Sequence, residues 1–266
     1  LCLRHFPDSM GIQEKGCYAL ACAAATYSSK TKSVFLHSSC IDLVVKALNQ
    51  ANVGSTHDAV IKQACAALAA MCLGSNENAA RAGNLGALSL LLGAFESYRQ
   101  GSRAEGGRHE MHLVCNAFLS LMCSPENRKI ASSQGGSALI LRAMRIFRLD
   151  AAFIEKSTIA LCELCGTRGN ASQVVQLNGV EDVIAAMLRF KTSIPIEHSC
   201  ARTLSLLIRA TGDNGRRRVV QAGGAEAIIF AMERFGSSSG GNSAVAVAVE
   251  GCAAIAVLSA MDSVTE

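Results

Sequence analysis

Apolar and polar positions alternate along this chain in two recurring textures. One is a short apolar pair, a glycine-marked break and a longer amphipathic run, as in VVQAGGAEAIIFAMERF from Val219 and VVQLNGVEDVIAAMLRF from Val174. The same frame fits FLHSSCIDLVVKAL from Phe35, AARAGNLGALSLLL from Ala79 and IASSQGGSALILRA from Ile130, so successive copies start 44, 51, 44 and 45 residues apart. Phe95, Phe190 and Phe235 share one offset in this frame, and Phe147 falls one residue out. The second texture lies between the copies: KGCYALACAA from Lys15, QACAALAAMC from Gln63, LVCNAFLSLMC from Leu113, KSTIALCELC from Lys156, SCARTLSLLI from Ser199 and EGCAAIAVLS from Glu250. Apolar and small residues recur there at spacings of three and four, which predicts helices buried on most of their surface.

Each unit therefore reads as a short first helix, a sharp turn, a second helix ending near the Phe, a polar loop and a long third helix. Glycine at the break tolerates the positive φ that ends the first helix and lets the second leave steeply. Ser39-Cys40 and Asn84-Leu85-Gly86 depart from the double glycine in the first two copies. The pattern predicts an all-α chain, one repeat array over 1–266, with a partial repeat at 1–27 and repeats at 28–74, 75–123, 124–166, 167–210 and 211–262.

Three helices per unit, with glycine between the first two, resembles the armadillo repeat and differs from the two-helix HEAT repeat. The resemblance covers almost the whole chain. It implies a right-handed superhelical solenoid whose third helices line a concave groove, a fold without catalytic machinery of its own that binds extended peptides or protein surfaces. The best-known peptide grooves of the family, in importin-α and β-catenin, carry a Trp and an Asn four residues apart on successive third helices. The matching positions here are Tyr18 and Cys22, Ala66 and Ala70, Asn116 and Ser120, Ile159 and Glu163, Arg202 and Leu206, Ala253 and Val257. No pair matches, so nuclear-import-receptor function is not expected. The polar residues of the central rows, His112, Asn116, Ser120, Glu155, Glu163, His198 and Arg202, are the expected partner-binding set. Their mixture of charges and hydrogen-bonding groups suits a mixed-charge peptide or helix.

Composition narrows this reading. Half of the 266 residues are apolar but only 5% are aromatic, with no Trp, 23 Gly and 3 Pro. A net charge of +4 is too small to argue for nucleic acid, which asks for a clustered basic face. Gly241 to Met261 is the most apolar run, yet it carries Glu250. It is expected to be a buried alanine-rich helix, without direct membrane insertion. The twelve cysteines sit mainly in apolar helical runs, as small core residues expected to be reduced in a cytoplasmic setting.

Several tempting motifs reduce to packing or solvation. Cys162 and Cys165 form a CxxC inside a third helix, without the second pair a zinc site needs, and read as core. His112 and His198 hold equivalent places and read as surface contacts. Arg216-Arg217-Arg218 reads as a solvated turn opening the first helix of the last repeat. Arg145, Arg148, Arg189, Lys191 and Arg234 flank the Phe column; cations suit helix C-termini, and together they define a secondary basic edge. The glycine-rich tracts 101–107 and 236–241 read as mobile loops. No metal, cofactor or catalytic set is expected. The chain reads as a non-enzymatic interaction scaffold, with a regulatory segment of an attached or associated enzyme as the alternative. Its first residues resemble second-helix endings, so the chain is expected to be a piece of a longer protein.

Overall fold

A computed structural model describes residues 2–28, 32–53, 57–100, 107–236 and 241–259. Among these every regular element is a helix. The glycine-rich tracts singled out above lie, apart from their edges, outside the described residues. The chain divides into two compact units, Leu1–Leu139 and Ile140–Glu266.

The first unit opens with α1 (Cys2–His5) and the long α2 (Met10–Thr26). Two triplets follow: α3 (Ser33–His37), α4 (Cys40–Val53) and α5 (Asp58–Cys72); then α6 (Asn76–Asn84), α7 (Ala87–Gln100) and α8 (Arg108–Leu121). It ends with α9 (Pro125–Ser133) and the start of α10 (Gly136–Ile146). The second unit continues α10 into α11 (Ala151–Leu164). It then repeats the triplet as α12 (Arg168–Gln176), α13 (Gly179–Arg189) and α14 (Ile194–Thr211), and as α15 (Asp213–Gln221), α16 (Gly224–Gly236) and α17 (Gly241–Ser259). The expected order, a short first helix followed by a longer second and a third at least as long, is thus the order of the helices.

The turn between first and second helices has one geometry throughout. Ser39, Gly86, Gly135, Asn178 and Gly223 have φ of 57°, 84°, 83°, 63° and 76°. The double glycine turns out to do two separate jobs. Gly223 supplies the left-handed residue, whereas a Cβ on Gly224 would stand 2.5 Å from Val219 Cγ1 and 2.9 Å from the Val219 carbonyl oxygen. Asn178 takes over the first job in its repeat, as asparagine tolerates that region better than most residues, while Gly179 keeps the close approach to Val174. The departures at Ser39 and Leu85 therefore leave the turn intact.

Three of the first helices start on side-chain caps. Ser75, Ser124 and Thr167 accept from the backbone N–H of Asn78, Asn127 and Asn170 respectively, satisfying a donor that a helix start leaves orphaned. The three capped asparagines are themselves buried. Their amides reach back to the preceding third helix: Asn78 Nδ2 to the Met71 carbonyl at 2.9 Å, Asn127 Nδ2 to Leu121 at 2.9 Å, Asn170 Nδ2 to Leu164 at 2.8 Å.

Third helices carry the core. In the first unit α2 packs on α5 and α5 on α8; in the second α11 packs on α14 and α14 on α17. Cys17, Cys65 and Cys115 are fully buried along the first stack, and burial pushes the Cys17 thiol up to about 12 and the other two higher still. All twelve cysteines are free thiols. Cys162 and Cys165 are both buried with thiols raised by burial, so the CxxC is packing.

Two expectations need correction. Helix α17 is not buried on most of its surface: Val245 and Val249 are exposed, and only 22% of the window Asn242–Ser259 is buried. Its inner face covers α14 and α16, while alanine and valine continue around the outer face. It is the one described helix long and apolar enough to cross a membrane by length and composition, with Glu250 inside that window. Arg216 to Arg218 do not open a helix either. Helix α15 starts at Asp213, an acid favourable at a helix N-terminus, and the arginines follow as structural cations. Arg216 pairs with Asp213, and Arg218 pairs with Glu181 of α13 at 2.7 Å and also bonds Asn178.

Candidate functional site

The expected partner-binding residues fall on third helices of both units. In the first unit, α8 carries His112, Asn116 and Ser120. His112 and Asn116 are half-buried and hydrogen-bonded, with Asn116 Nδ2 3.0 Å from His112 Nδ1. Ser120 departs from the expectation: it is buried, and its hydroxyl donates to the Asn116 carbonyl at 2.8 Å, one turn back. A hydroxyl folded onto its own helix in this way has no hydrogen left for a partner. Two residues before His112, Glu110 forms an ion pair with Lys62 of α5. Burial opposes ionisation of Glu110, but the Lys62 contact outweighs it and holds the carboxyl below its usual range.

In the second unit, α11 carries Glu155 and Glu163, and α14 carries His198 and Arg202. Glu155 and His198 are half-buried, whereas Glu163 and Arg202 are exposed. Both exposed charges act on the thiol of Cys162, Arg202 lowering and Glu163 raising it. The two helices that carry them, α11 and α14, are tied by the Ser199–Thr158 hydroxyl contact at 2.8 Å. Ile159 is exposed on the same stretch of α11.

The basic-edge residues are gathered more closely than a stripe. Arg145, Arg148 and Arg189 line one cavity of about 280 Å³ between α10 and α13, together with Met144, Ile154, Asp182 and Phe190. Lys191 and Arg234 line the next, of about 240 Å³, between α13 and α16, with Met187, Leu188, Glu197 and Phe230. The two cavities occupy the same place in consecutive repeats. Met144 corresponds to Met187, Arg148 to Lys191, Arg189 to Arg234, and Ile154 to Glu197, the fourth residue of its third helix in each case.

The electrostatics of the two cavities differ. In the first, Arg145 forks onto Asp182, with Nε 3.0 Å and 2.9 Å from the two carboxylate oxygens, and also donates to the Leu177 carbonyl at 2.6 Å. Burial raises the Asp182 carboxyl, against the pull of Arg145. Arg148 and Arg189 have no hydrogen-bond or ion-pair partner among the described residues. In the second cavity, Arg234 donates to the Lys191 carbonyl at 3.0 Å. Glu197 is 2% exposed, its Oε2 has no hydrogen-bond partner, and burial pushes its carboxyl up to about 8 in spite of Arg234 and Lys191.

Asp182, Glu197 and Phe230 were missed by sequence reasoning. The frame that aligns the third helices does put Glu197 in a column that is apolar at Ile61, Met111, Ile154 and Ala248. An acid there is a signal, since an unpaired buried charge costs several kcal/mol. Among the described residues no cluster of His, Cys, Asp and Glu fit to hold a metal ion occurs.

No protein-family profile and no curated relative matches the chain by sequence. Solved structures match it by shape. An engineered protein, 19% identical, aligns over 97% of this chain and 95% of its own with a TM-score of 0.68. A second engineered protein, 16% identical, aligns over 95% and 94% with a TM-score of 0.66. A designed armadillo repeat protein, solved in complex with the peptide (KR)4, is 15% identical and aligns over 95% of each chain with a TM-score of 0.64. The chain is all-α and has the armadillo-repeat fold.

Proposed function

We propose that the chain is a non-enzymatic protein-interaction scaffold that takes a protein partner on the exposed faces of its third helices. The fold supports this: repeat arrays present extended surfaces, and the designed armadillo repeat protein similar to this chain was solved with a peptide. The observation that carries the reading is the exposure of Glu163 on α11 and Arg202 on α14, two adjacent third helices that pack on each other. Exposed charges of both signs on neighbouring helices suit a partner of mixed charge, Arg202 forking onto a carboxylate and Glu163 accepting from a cation. Glu155 and His198 extend this face in the second unit. In the first unit, His112 and Asn116 offer a smaller polar set on α8. A reducing, cytoplasmic setting belongs to the same reading, in keeping with the free thiols.

The test is affinity purification with mass spectrometry, comparing the intact chain with the double reversal Glu163→Arg/Arg202→Glu. The reversal is expected to lose the captured partners while its thermal melt stays within a degree or two of the parent, since exposed charges contribute little to stability. Retention of every partner by the reversed protein overturns the assignment to this face.

A further inference from the structure

We infer that the paired cavities along α10, α13 and α16 form a second, separate binding site, which takes an acidic segment of a protein partner with apolar residues among its carboxylates. The site stands independently of the third-helix face.

Four observations converge on it. The cavities are equivalent in consecutive repeats, so one extended ligand meets the same kind of recess twice. Two cations there, Arg148 and Arg189, have side chains with no partner among the described residues, while Lys191 and Arg234 act on the buried Glu197 and Arg145 is engaged by Asp182. The second cavity has a large exposed apolar rim, with Leu188 at 47% and Phe230 at 57% exposure. Glu197 at its floor replaces the isoleucine of the first, holds an oxygen without a partner, and is predominantly the uncharged acid near neutral pH. Both cavities are therefore net positive, and the second offers a carboxyl hydrogen as well.

The ligand chemistry follows. A guanidinium forks onto a carboxylate with two charge-assisted hydrogen bonds, and two unpaired guanidiniums in one recess favour an acidic side chain. Asp182 in the same recess penalises a phosphate dianion more than a single carboxylate. Leu188 and Phe230 gain from covering by apolar side chains, and the protonated Glu197 can donate to a peptide carbonyl that enters with them. Burying Glu197 in place of isoleucine costs stability, so the position is better explained by recognition than by packing.

The test is fluorescence anisotropy on the whole chain with a short fluorescein-labelled peptide alternating Glu and Leu, at near-physiological salt. Saturable binding is expected, weakened about tenfold or more by Arg148→Glu/Arg189→Glu, as loss of two charge-assisted contacts requires. Phe230→Ala should weaken it by a smaller factor. The variant Glu163→Arg/Arg202→Glu should bind this peptide like the parent, which separates this site from the third-helix face. Should the double Arg reversal unfold, Arg148→Ala alone carries the test. Equal binding of a Lys and Leu peptide, equal binding by the Arg variants, or stronger competition from a phosphoserine and Leu peptide or from single-stranded DNA would each overturn the inference.

Discussion

Asn127 of α9 donates its side-chain amide to the Ala79 carbonyl of α6 at 2.7 Å, joining the first helices of two consecutive repeats. The same nitrogen bonds the Leu121 carbonyl, and a Cβ on Gly83 would meet Asn127 Oδ1 directly. Asn78 makes the equivalent link to the Lys32 carbonyl at 2.9 Å. These asparagines peg each first helix to its neighbour and to the end of the third helix before it.

Replacing Asn127 by Ala leaves two buried carbonyls without that donor, at an expected cost of about 1–3 kcal/mol. Urea denaturation of Asn127→Ala measures it. Asn127→Asp is expected to fare at least as badly, because a carboxylate cannot donate to either carbonyl. A variant as stable as the parent would show that the peg is dispensable.

The two turn glycines should respond differently to a methyl group. Gly223→Ala strains a left-handed residue, at about 1 kcal/mol. Gly224→Ala drives Cβ into Val219 side chain and backbone and should cost more, because the backbone carbonyl cannot yield as a flexible side chain does. Paired thermal melts give the order, and the reverse order would refute the division of labour.

Glu197 makes a pH prediction. Its carboxyl lies at about 8 in the folded chain against 4.5 without the fold's influence, raised by burial and opposed by Arg234 on α16 and Lys191 after α13. Between these values the folded chain holds a proton that the unfolded chain has released. The contribution is present in full below the unfolded value and is lost as pH rises through the folded one. Stability from this group therefore declines as pH climbs from about 4.5 to about 8, by at most a few kcal/mol. Melting temperatures of Glu197→Gln should lack that decline and exceed the parent's above the upper value. Glu197→Ile, which restores the residue of the preceding repeat, should be more stable still.

The thiols should sort by burial. Cys2, Cys22 and Cys252 are exposed and are expected to alkylate within minutes under native conditions. Cys65, Cys115, Cys165 and Cys200 are buried with thiols raised by burial, and should react only on unfolding, since the thiolate is the nucleophile. Timed alkylation with peptide mapping checks both groups.

Repetition made the fold legible in the sequence. Five aligned glycine-marked blocks and six third-helix blocks need no single strong motif, because each repeats the same burial pattern. That suffices to align Phe95 with Phe190 and Phe235, and to read Cys162 and Cys165 as packing. Single residues were less legible. Ser120 has the right register for the third-helix face, but its hydroxyl satisfies itself on its own helix. Asn178 takes the left-handed turn that the glycine pattern assigns to its neighbour Gly179, and only the contact with Val174 shows what the glycine is needed for.

By itself the sequence determined the helices, their order in each repeat and the apolar columns, because burial periodicity and turn chemistry act over short stretches of chain. Tertiary structure alone decided which charges are engaged and which are left over. Arg145 is taken by Asp182, 37 residues away, and Arg218 by Glu181 at the same separation. Arg148 and Arg189, of the same residue type and on the same edge, have no such partner among the described residues. That distinction depends on the angle and reach between neighbouring helices, which residue type and spacing do not encode.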